Sequence, residues 1–550
     1  LAAGPFGVVV FSDVDGNRDY DPATDATLGS VTHPGLGAHA LDAWDVALDG
    51  VVRFRGERLF AKVDPELAWP ELDESNNVGD AAGECAVAPP TAPFAPVVEL
   101  EWPPAGTSVV APGSIDSLST PIVVQLTDDN GDGLWDERDV PDIAFVTTDF
   151  YELMEPQIYL RAIRGDTGAA LFDVNGFLPH PTAPSAFSFS GLAAGDIDND
   201  GRPELVTTTF GPAPNNVLIA LEHTGARKWQ SAVYHTHPDP TGLTNRDNPA
   251  IADLDADGFA EIVVGANVFD RFGHLLWRGA GGQAYQSSGN SGDRGGAISV
   301  VADVDLDGLL EVVTGNTLYR HDGEIVWQVP LGDGYPAVVN FDADPRPEIV
   351  VVSRGSVRLH DAEGGLLWGP VELPGSDPEA GGAPTVADFD GDGAPEIGVA
   401  GSDVYVVFES DGTIRWQAST QDYTSNLTGS TVFDLDGDGA FEVIYRDERR
   451  LRVYRGSDGV VLFEDVVSSN TWTEEPVVAD VDRDGNAEIV VTSDRAPDVP
   501  MPGGERTAGL RIYGEGGDGW TWARSIWNQH AYTPDQVGDD ASIPARPAWG

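Results

Sequence analysis

Cysteine is nearly absent from this chain: Cys85 is the only one in 550 residues, so no internal disulfide can form. Lysine is almost as scarce, with only Lys62 and Lys228, which leaves few candidates for lysine-dependent catalysis. Basic residues number 31 against 90 acidic ones, a formal net charge of −59. That balance excludes nucleic acid as a partner, because phosphate binding needs a basic surface. It also disfavours anionic lipid. No apolar run approaches the roughly 20 residues of a membrane-spanning helix, so membrane insertion is not expected. Catalytic signatures are missing too. There is no Gly-x-Ser-x-Gly, no His-Glu-x-x-His and no glycine-rich phosphate loop, and the lone His235-x-His237 reads as surface.

Hydrophobic residues make up 41% of the chain, enough for a real core. Folding so many carboxylates together costs self-repulsion. A large extracellular protein without disulfides needs another staple, and bound metal is one. The chain opens at Leu1 with no visible leader, which reads as a piece of something longer.

What the sequence does contain is repetition, the first thing to look for in a chain of this length. One phrase, Asp196-Ile-Asp198-Asn-Asp200-Gly201-Arg-Pro-Glu204, returns as Asp253, Asp255, Asp257, Gly258, Glu261 and as Asp303, Asp305, Asp307, Gly308, Glu311. It returns again as Asp388, Asp390, Asp392, Gly393, Glu396, as Asp434, Asp436, Asp438, Gly439, Glu442, and as Asp480, Asp482, Asp484, Gly485, Glu488. Two copies are imperfect. Asp128, Asn130, Asp132 and Gly133 are followed by an insertion, which leaves Asp136 and Asp142 as rival closing acids. Asn340, Asp342, Asp344 and Glu348 carry Pro345 in place of the glycine.

Oxygen ligands at positions 1, 3 and 5 of a tight loop can converge on one hard cation. Glycine at position 6 supplies the positive φ that turns the chain, and a carboxylate at position 9 closes the cage. Ca²⁺ accepts six to eight oxygens in irregular geometry, whereas Mg²⁺ demands a strict octahedron. An EF-hand closes at position 12 between helices. Here the acid stands at position 9 and both flanks are β-like, as in Ala297-Ile-Ser-Val-Val-Ala before and Glu261-Ile-Val-Val after. About six to eight Ca²⁺ ions are expected.

Each acidic loop is followed by a strand, a glycine turn and a strand ending in an aromatic, as in Arg320-His-Asp-Gly-Glu-Ile-Val-Trp327. The aromatic slot holds Phe172, Trp229, Trp277, Trp327, Trp368, Trp416, Phe463 and Trp522. Buried aromatics at one place in each repeat point to packing between repeats. The shortest repeat, 37 residues from Asp303 to Asn340, still holds four strands, at 297–302, 311–315, 317–321 and 325–329. Four antiparallel strands repeated about eight times predict an all-β protein with an eight-bladed β-propeller, seven blades being the alternative.

At these residues the chain resembles the FG-GAP (VCBS-type) repeat family, whose acidic loops bind calcium in the integrin α-subunit propeller. The resemblance covers roughly residues 105–525 and implies one Ca²⁺ per intact loop. Integrin propellers have seven blades, whereas rhamnogalacturonan lyases with similar loops have eight. The strand-turn-Trp phrase is also similar to quinoprotein dehydrogenases and related assembly lipoproteins, which lack the acidic loop. Residues 1–88 resemble the later strands of a CARDB domain, an immunoglobulin-like sandwich of bacterial surface proteins. They carry Gly7-Val-Val-Val-Phe11 and a further acidic loop, Asp13, Asp15, Asn17, Asp19 and Asp21, for one more possible Ca²⁺. This small N-terminal β-sandwich reads as incomplete and could self-assemble by taking a strand from a neighbour. Residues 89–104 read as a stiff proline-rich linker, 105–535 as the propeller and 536–550 as a C-terminal extension. Ser525-Ile-Trp-Asn-Gln-His-Ala-Tyr532 resembles a segment that follows such propellers in large bacterial surface proteins.

In a four-stranded meander the large insertions would fall mostly on the face opposite the acidic loops, and they carry Phe150, Tyr151, Phe177, Phe187, Phe189, Tyr234 and Tyr285. Loops elaborated on one face of a scaffold often bind, here a protein or carbohydrate ligand. The sequence therefore predicts a non-enzymatic, extracellular or cell-surface, bacterial structural or adhesion module. A lectin and a calcium-dependent polysaccharide lyase are the rival readings.

Overall fold

The computed structural model describes residues 6–12, 20, 22, 26–33, 59–63, 65, 78–81, 94–104, 109–149, 158–175, 190–210, 216–232, 234, 247–287, 294–342, 344–375, 381–516 and 519–545. The chain divides into two compact units, Leu1–Pro89 and Pro90–Trp549. All regular structure among the described residues is β, apart from single 3₁₀ turns at Pro502–Gly504 and Pro534–Gln536. Among the described residues, no helix is long and apolar enough to cross a membrane.

In the first unit, Phe6–Ser12 pairs antiparallel with Ala26–His33 on one side and Leu59–Val63 on the other, and Val78–Ala81 lies beyond Leu59–Val63. Val9, Phe11, Leu28 and Phe60 are buried. The expected acidic loop Asp13, Asp15, Asn17, Asp19 and Asp21 lies outside the described residues.

Among its described residues the second unit contains eight four-stranded antiparallel sheets, numbered 1 to 8 here after their acidic loops. Sheet 4 shows the pattern, with Val300–Ala302, Glu311–Val313, Thr317–Tyr319 and Ile325–Gln328 in sequence order. These fall within the four segments expected of the shortest repeat. Second strands such as Glu348–Ser353 in sheet 5 and Glu396–Ala400 in sheet 6 are buried throughout. They are packed on both faces, so they read as continuous apolar runs instead of alternating ones.

The cores lie between sheets. Ala144 and Leu160 of sheet 1 share one with Leu192 and Ile219 of sheet 2. The series continues pairwise through Val206 with Ile262, Val263 with Val312, Val313 with Ile349, Val350 with Ile397, Tyr405 with Val443, and Ile444 with Ile489. Val123, Ile143 and Phe145 of sheet 1 then share a core with Val477, Val490 and Ile512 of sheet 8. Each sheet thus shares a core with the next, and sheet 8 shares one with sheet 1.

Sheet 8 closes differently from the others. Its first three strands are Val477–Ala479, Glu488–Ser493 and Gly509–Glu515, but its fourth is Pro96–Trp102. The proline-rich stretch read as a linker therefore holds a strand. Prolines tolerate this place because the outermost strand has one unpaired edge.

The aromatic slots do join repeats. In five successive sheets the slot tryptophan lies against the positive-φ glycine of the next sheet's third turn: Trp229 on Gly273, Trp277 on Gly323, Trp327 on Gly364, Trp368 on Gly412 and Trp416 on Gly459. Trp277, Trp327 and Trp368 donate their indole N–H to the backbone carbonyls of His321, Ala362 and Ser410, at 2.7, 2.9 and 2.8 Å, within the same turns. The eighth slot is not Trp522. Leu100, on the strand that completes sheet 8, fills it against Gly168. Gly364 has φ of +83°, and a Cβ there would stand 2.7 Å from Trp327. Left-handed strain and overpacking add, so Gly364→Ala is expected to cost about 2–4 kcal/mol, read from the denaturant midpoint.

The C-terminal segment has a definite place. Thr521 donates to Leu435, and Arg524 accepts from Asp480. Trp527 and Val123 exchange backbone hydrogen bonds, and Asn528 accepts from Ala194. The Gln529 side chain accepts from Ile251 at 2.7 Å, and that of Gln536 donates to Val301 at 2.7 Å. Residues 521–536 thus pass the first strands of sheets 7, 8, 1, 2, 3 and 4, or the residues just after them. A first strand has an edge turned away from its own sheet, and its polar groups need partners there. Val537, Ala541 and Ile543 pack into the core between sheets 1 and 2, so 536–545 belongs to this unit and is not a separate extension. Gln529→Leu would strand the buried Ile251 N–H. A loss of about 1–3 kcal/mol is expected, measurable by chemical denaturation.

Candidate metal centres

Each acidic loop joins the first and second strands of its sheet. In the intact loops 2, 3, 4, 6, 7 and 8 the position-9 glutamate is the first residue of the second strand, as Glu204, Glu261, Glu311, Glu396, Glu442 and Glu488 are. Each turns one carboxylate oxygen back to accept the N–H of position 2. The donors are Ile197, Leu254, Val304, Phe389, Leu435 and Val481, at 2.8–3.1 Å. The position-1 aspartate is held the same way. Asp253 accepts from Asp257 and Gly258, and Asp303 from Asp307 and Gly308. Gly258 and Gly393 adopt φ near +87°, and a Cβ on either would meet nothing within 4 Å. Backbone conformation alone, then, demands glycine at position 6. Position 4 also takes positive φ, even where it is Asn199, Ala256, Leu306 or Arg483.

The backbone bonds gather the carboxylates. Ligand-type oxygens of Asp196, Asp198 and Glu204 lie within 4.8 Å of one another, as do those of Asp253, Asp255 and Asp257. The same holds for Asp303, Asp305 and Glu311, for Asp388, Asp390 and Glu396, and for Asp434, Asp436 and Glu442. In loop 8, Asp480 accepts from the Gly485 N–H and Asp482 from that of Asp484. Asp200, Asp307, Asp392 and Asp438 stand at position 5 of their loops.

These donor sets fit a hard cation. They consist of oxygens, and Asp305 Oδ1 and Asp480 Oδ1 are buried without a hydrogen-bond partner. Burial, reinforced by the neighbouring carboxylates, pushes Glu261 up to about 8, Glu311 to about 7, Glu442 to about 9 and Glu488 to about 10. Either a proton or a cation would relieve that repulsion.

The two imperfect loops differ as their sequences suggest, with one surprise. In loop 5, Pro345 has no N–H to offer, and the Asn340 side chain donates to the Asp344 carbonyl instead. Asp342 accepts from Asp344, and Glu348 keeps its bond from Phe341. In loop 1, Asp128 accepts from Asp132 and Gly133, and Asn130 from Asp132, so the turn has the common geometry. Asp136, one of the two expected closing acids, is turned to Arg138. Asp142, the other, begins the second strand and accepts from Leu126, three residues before the corresponding donor in other loops. The group that accepts from position 2 of the turn is Asp139, fully buried, 2.9 Å from the Asp129 N. Sequence reasoning missed it because the insertion slid the turn outward from the strand end.

The expected ligand-face aromatics are only partly visible. Phe150, Tyr151, Phe177, Phe187 and Phe189 lie outside the described residues, as does the side chain of Tyr285. Tyr234 is buried and stacks edge-on against Phe269, so it belongs to the core between sheets 2 and 3.

Comparison with known proteins places this geometry. An FG-GAP-like repeat model matches residues 340–399 and 434–491. A crystal structure of the biofilm matrix protein Bap1 of V. cholerae is similar at a TM-score of 0.65 and 22% identity, over 80% of this chain and 95% of that one. The exotype rhamnogalacturonan lyase YesX is similar at a TM-score of 0.50 and 17% identity, over 93% and 85%. No curated protein matches significantly. The chain therefore carries FG-GAP-like repeats in a repetitive β-rich domain, and it shares its fold with both a matrix protein and an enzyme.

Proposed function

We propose that this chain is a calcium-stabilised, non-enzymatic extracellular module used for adhesion or for building an extracellular matrix. Its second unit is, on this reading, an eight-bladed β-propeller with one Ca²⁺ in most acidic loops. The observation that carries the reading is the repeated gathering of three carboxylates within 4.8 Å at the same turn of sheets 2, 3, 4, 6 and 7. Oxygen-only donor sets with irregular geometry favour Ca²⁺ over Mg²⁺. The shared fold with a biofilm matrix protein supports an extracellular setting. A protein or carbohydrate ligand would, on this reading, bind on the face away from the acidic loops, to which the sequence assigns the long insertions.

Calcium content, counted by atomic emission on the full chain after dialysis, tests the metal. Several ions per chain are expected, and none would overturn the reading. Incubation with acidic polysaccharides, followed by ultraviolet absorbance for unsaturated products, tests the enzyme alternative. Steady product release would replace adhesion with lyase chemistry.

A further inference from the structure

The residue just before the aromatic slot separates the acidic loops of sheets 1 to 7 into two kinds, while in sheet 8, whose slot is Leu100, it is Glu99. It is Leu171, Leu276, Val326, Leu367 and Leu462 in sheets 1, 3, 4, 5 and 7. In sheets 2 and 6 it is a cation, Lys228 or Arg415. This position lies on the outermost strand, and from it Lys228 and Arg415 reach the acidic loop of their own sheet.

Lys228 goes furthest. Its ammonium stands 2.6 Å from Asp198 and 2.9 Å from Glu204, two of the three gathered carboxylates of loop 2. Glu222 is 3.3 Å away on the other side. Glu204 is fully buried, and the Lys228 side chain is 16% exposed. Arg415 pairs with Asp390 and Glu409 at loop 6 but reaches only one of the three gathered carboxylates there. Among the described residues, no lysine or arginine nitrogen comes within hydrogen-bonding distance of the gathered carboxylates of loops 3 and 4. Arg320 stands 4.0 Å from Asp305. The chain has only one other lysine, Lys62.

We propose that Lys228 is the built-in cation of loop 2, filling the place between Asp198 and Glu204 that a metal ion takes in the other intact loops. The inference rests on the metal reading of those loops. A single ammonium has three donors to offer and satisfies two cage carboxylates with Glu222 as the third partner. A divalent ion entering there would have to expel it, and the two charges would repel at close range. Loop 2 therefore keeps its shape without metal, while loops 3 and 4 depend on it. Arg415 lowers the metal affinity of loop 6 without excluding the ion, because it leaves Glu396 and Asp388 free of its hydrogen bonds.

The test is metal stoichiometry of the full chain, stripped with chelator and reloaded in millimolar calcium. Lys228→Leu installs the residue that sheets 1, 3, 5 and 7 already accept. It is expected to bind one more ion per chain than the parent, and Lys228→Arg no more than the parent. Should K228L fail to fold, K228M gives the same comparison with an unbranched side chain of similar length. Several ions in the parent and an equal number in K228L would overturn the lysine's role alone. No ions in either would overturn the metal reading, and this inference with it. An amine-reactive label gives a second readout on the parent protein, with Lys62 as internal control. Lys228 should be protected equally in calcium and in chelator, and labelling of Lys228 that appears only in calcium would show that metal displaces it.

Discussion

Chelation is expected to lower the melting temperature of the second unit by about 10 °C or more, the largest effect of any single treatment. A site held at 100 times its dissociation constant stabilises by about 2.7 kcal/mol. Four such loops would together contribute roughly 11 kcal/mol, comparable to the whole net stability of an ordinary domain at about 5–15 kcal/mol. The physical cause is visible in the loops. Glu311 sits beside Asp303 and Asp305 with its burial opposing ionisation, so removal of a cation leaves either mutual repulsion or protonation. Calorimetry of the full chain in calcium and in chelator measures the shift. Superimposable curves would mean that the loops are turns held by their backbone hydrogen bonds alone. Glu311→Gln should reproduce a fraction of the shift and lower the ion count by one.

Trp102→Ala is expected to cost about 3–5 kcal/mol, the range for truncating a large buried aromatic, and to weaken the junction of sheets 8 and 1. Trp102 is 3% exposed, at the end of the strand that completes sheet 8. Its ring meets Phe145 of sheet 1 edge-on, with centroids 4.9 Å apart, and the Arg161 guanidinium lies 4.8 Å over it. It therefore fastens sheet 8 to sheet 1. Opening that junction exposes an apolar face on both sides. The loss should appear as a lowered denaturant midpoint, with calcium present throughout. A change below about 1 kcal/mol would show that Pro96–Trp102 is dispensable for that junction. Removal of residues 1–104 should be more severe than removal of 1–89, because only the longer deletion takes the strand.

Much of this was legible in the chain itself. The acidic loops are encoded within nine residues: Asp253 captures the amides of Asp257 and Gly258, and Glu261 that of Leu254. Interactions so local leave their spacing in the sequence. The slot tryptophans were legible for a related reason, since each meets a glycine about 45 residues on, in the next copy of the same phrase. All-β character and four strands per repeat followed from the same periodicity.

What the sequence by itself determined, then, is the repeat: its strands, its turns, its candidate ligands and the aromatic between neighbours. Tertiary structure alone decided how the repeats end. Leu100, and not Trp522, fills the eighth slot, because Pro96–Trp102 pairs with Gly509–Glu515 across some 400 residues and carries no local mark of doing so. Asp139 supplants Asp136 in loop 1, because an insertion moved the turn relative to the strand. Lys228 enters loop 2 from the sheet's outermost strand, 24 residues after Glu204. Residues 521–536 find the first strands of six sheets, a set of partners that exists only once the sheets have packed. Short-range hydrogen bonds write themselves into residue spacing, whereas closure depends on which surfaces remain unpaired after the repeats have stacked.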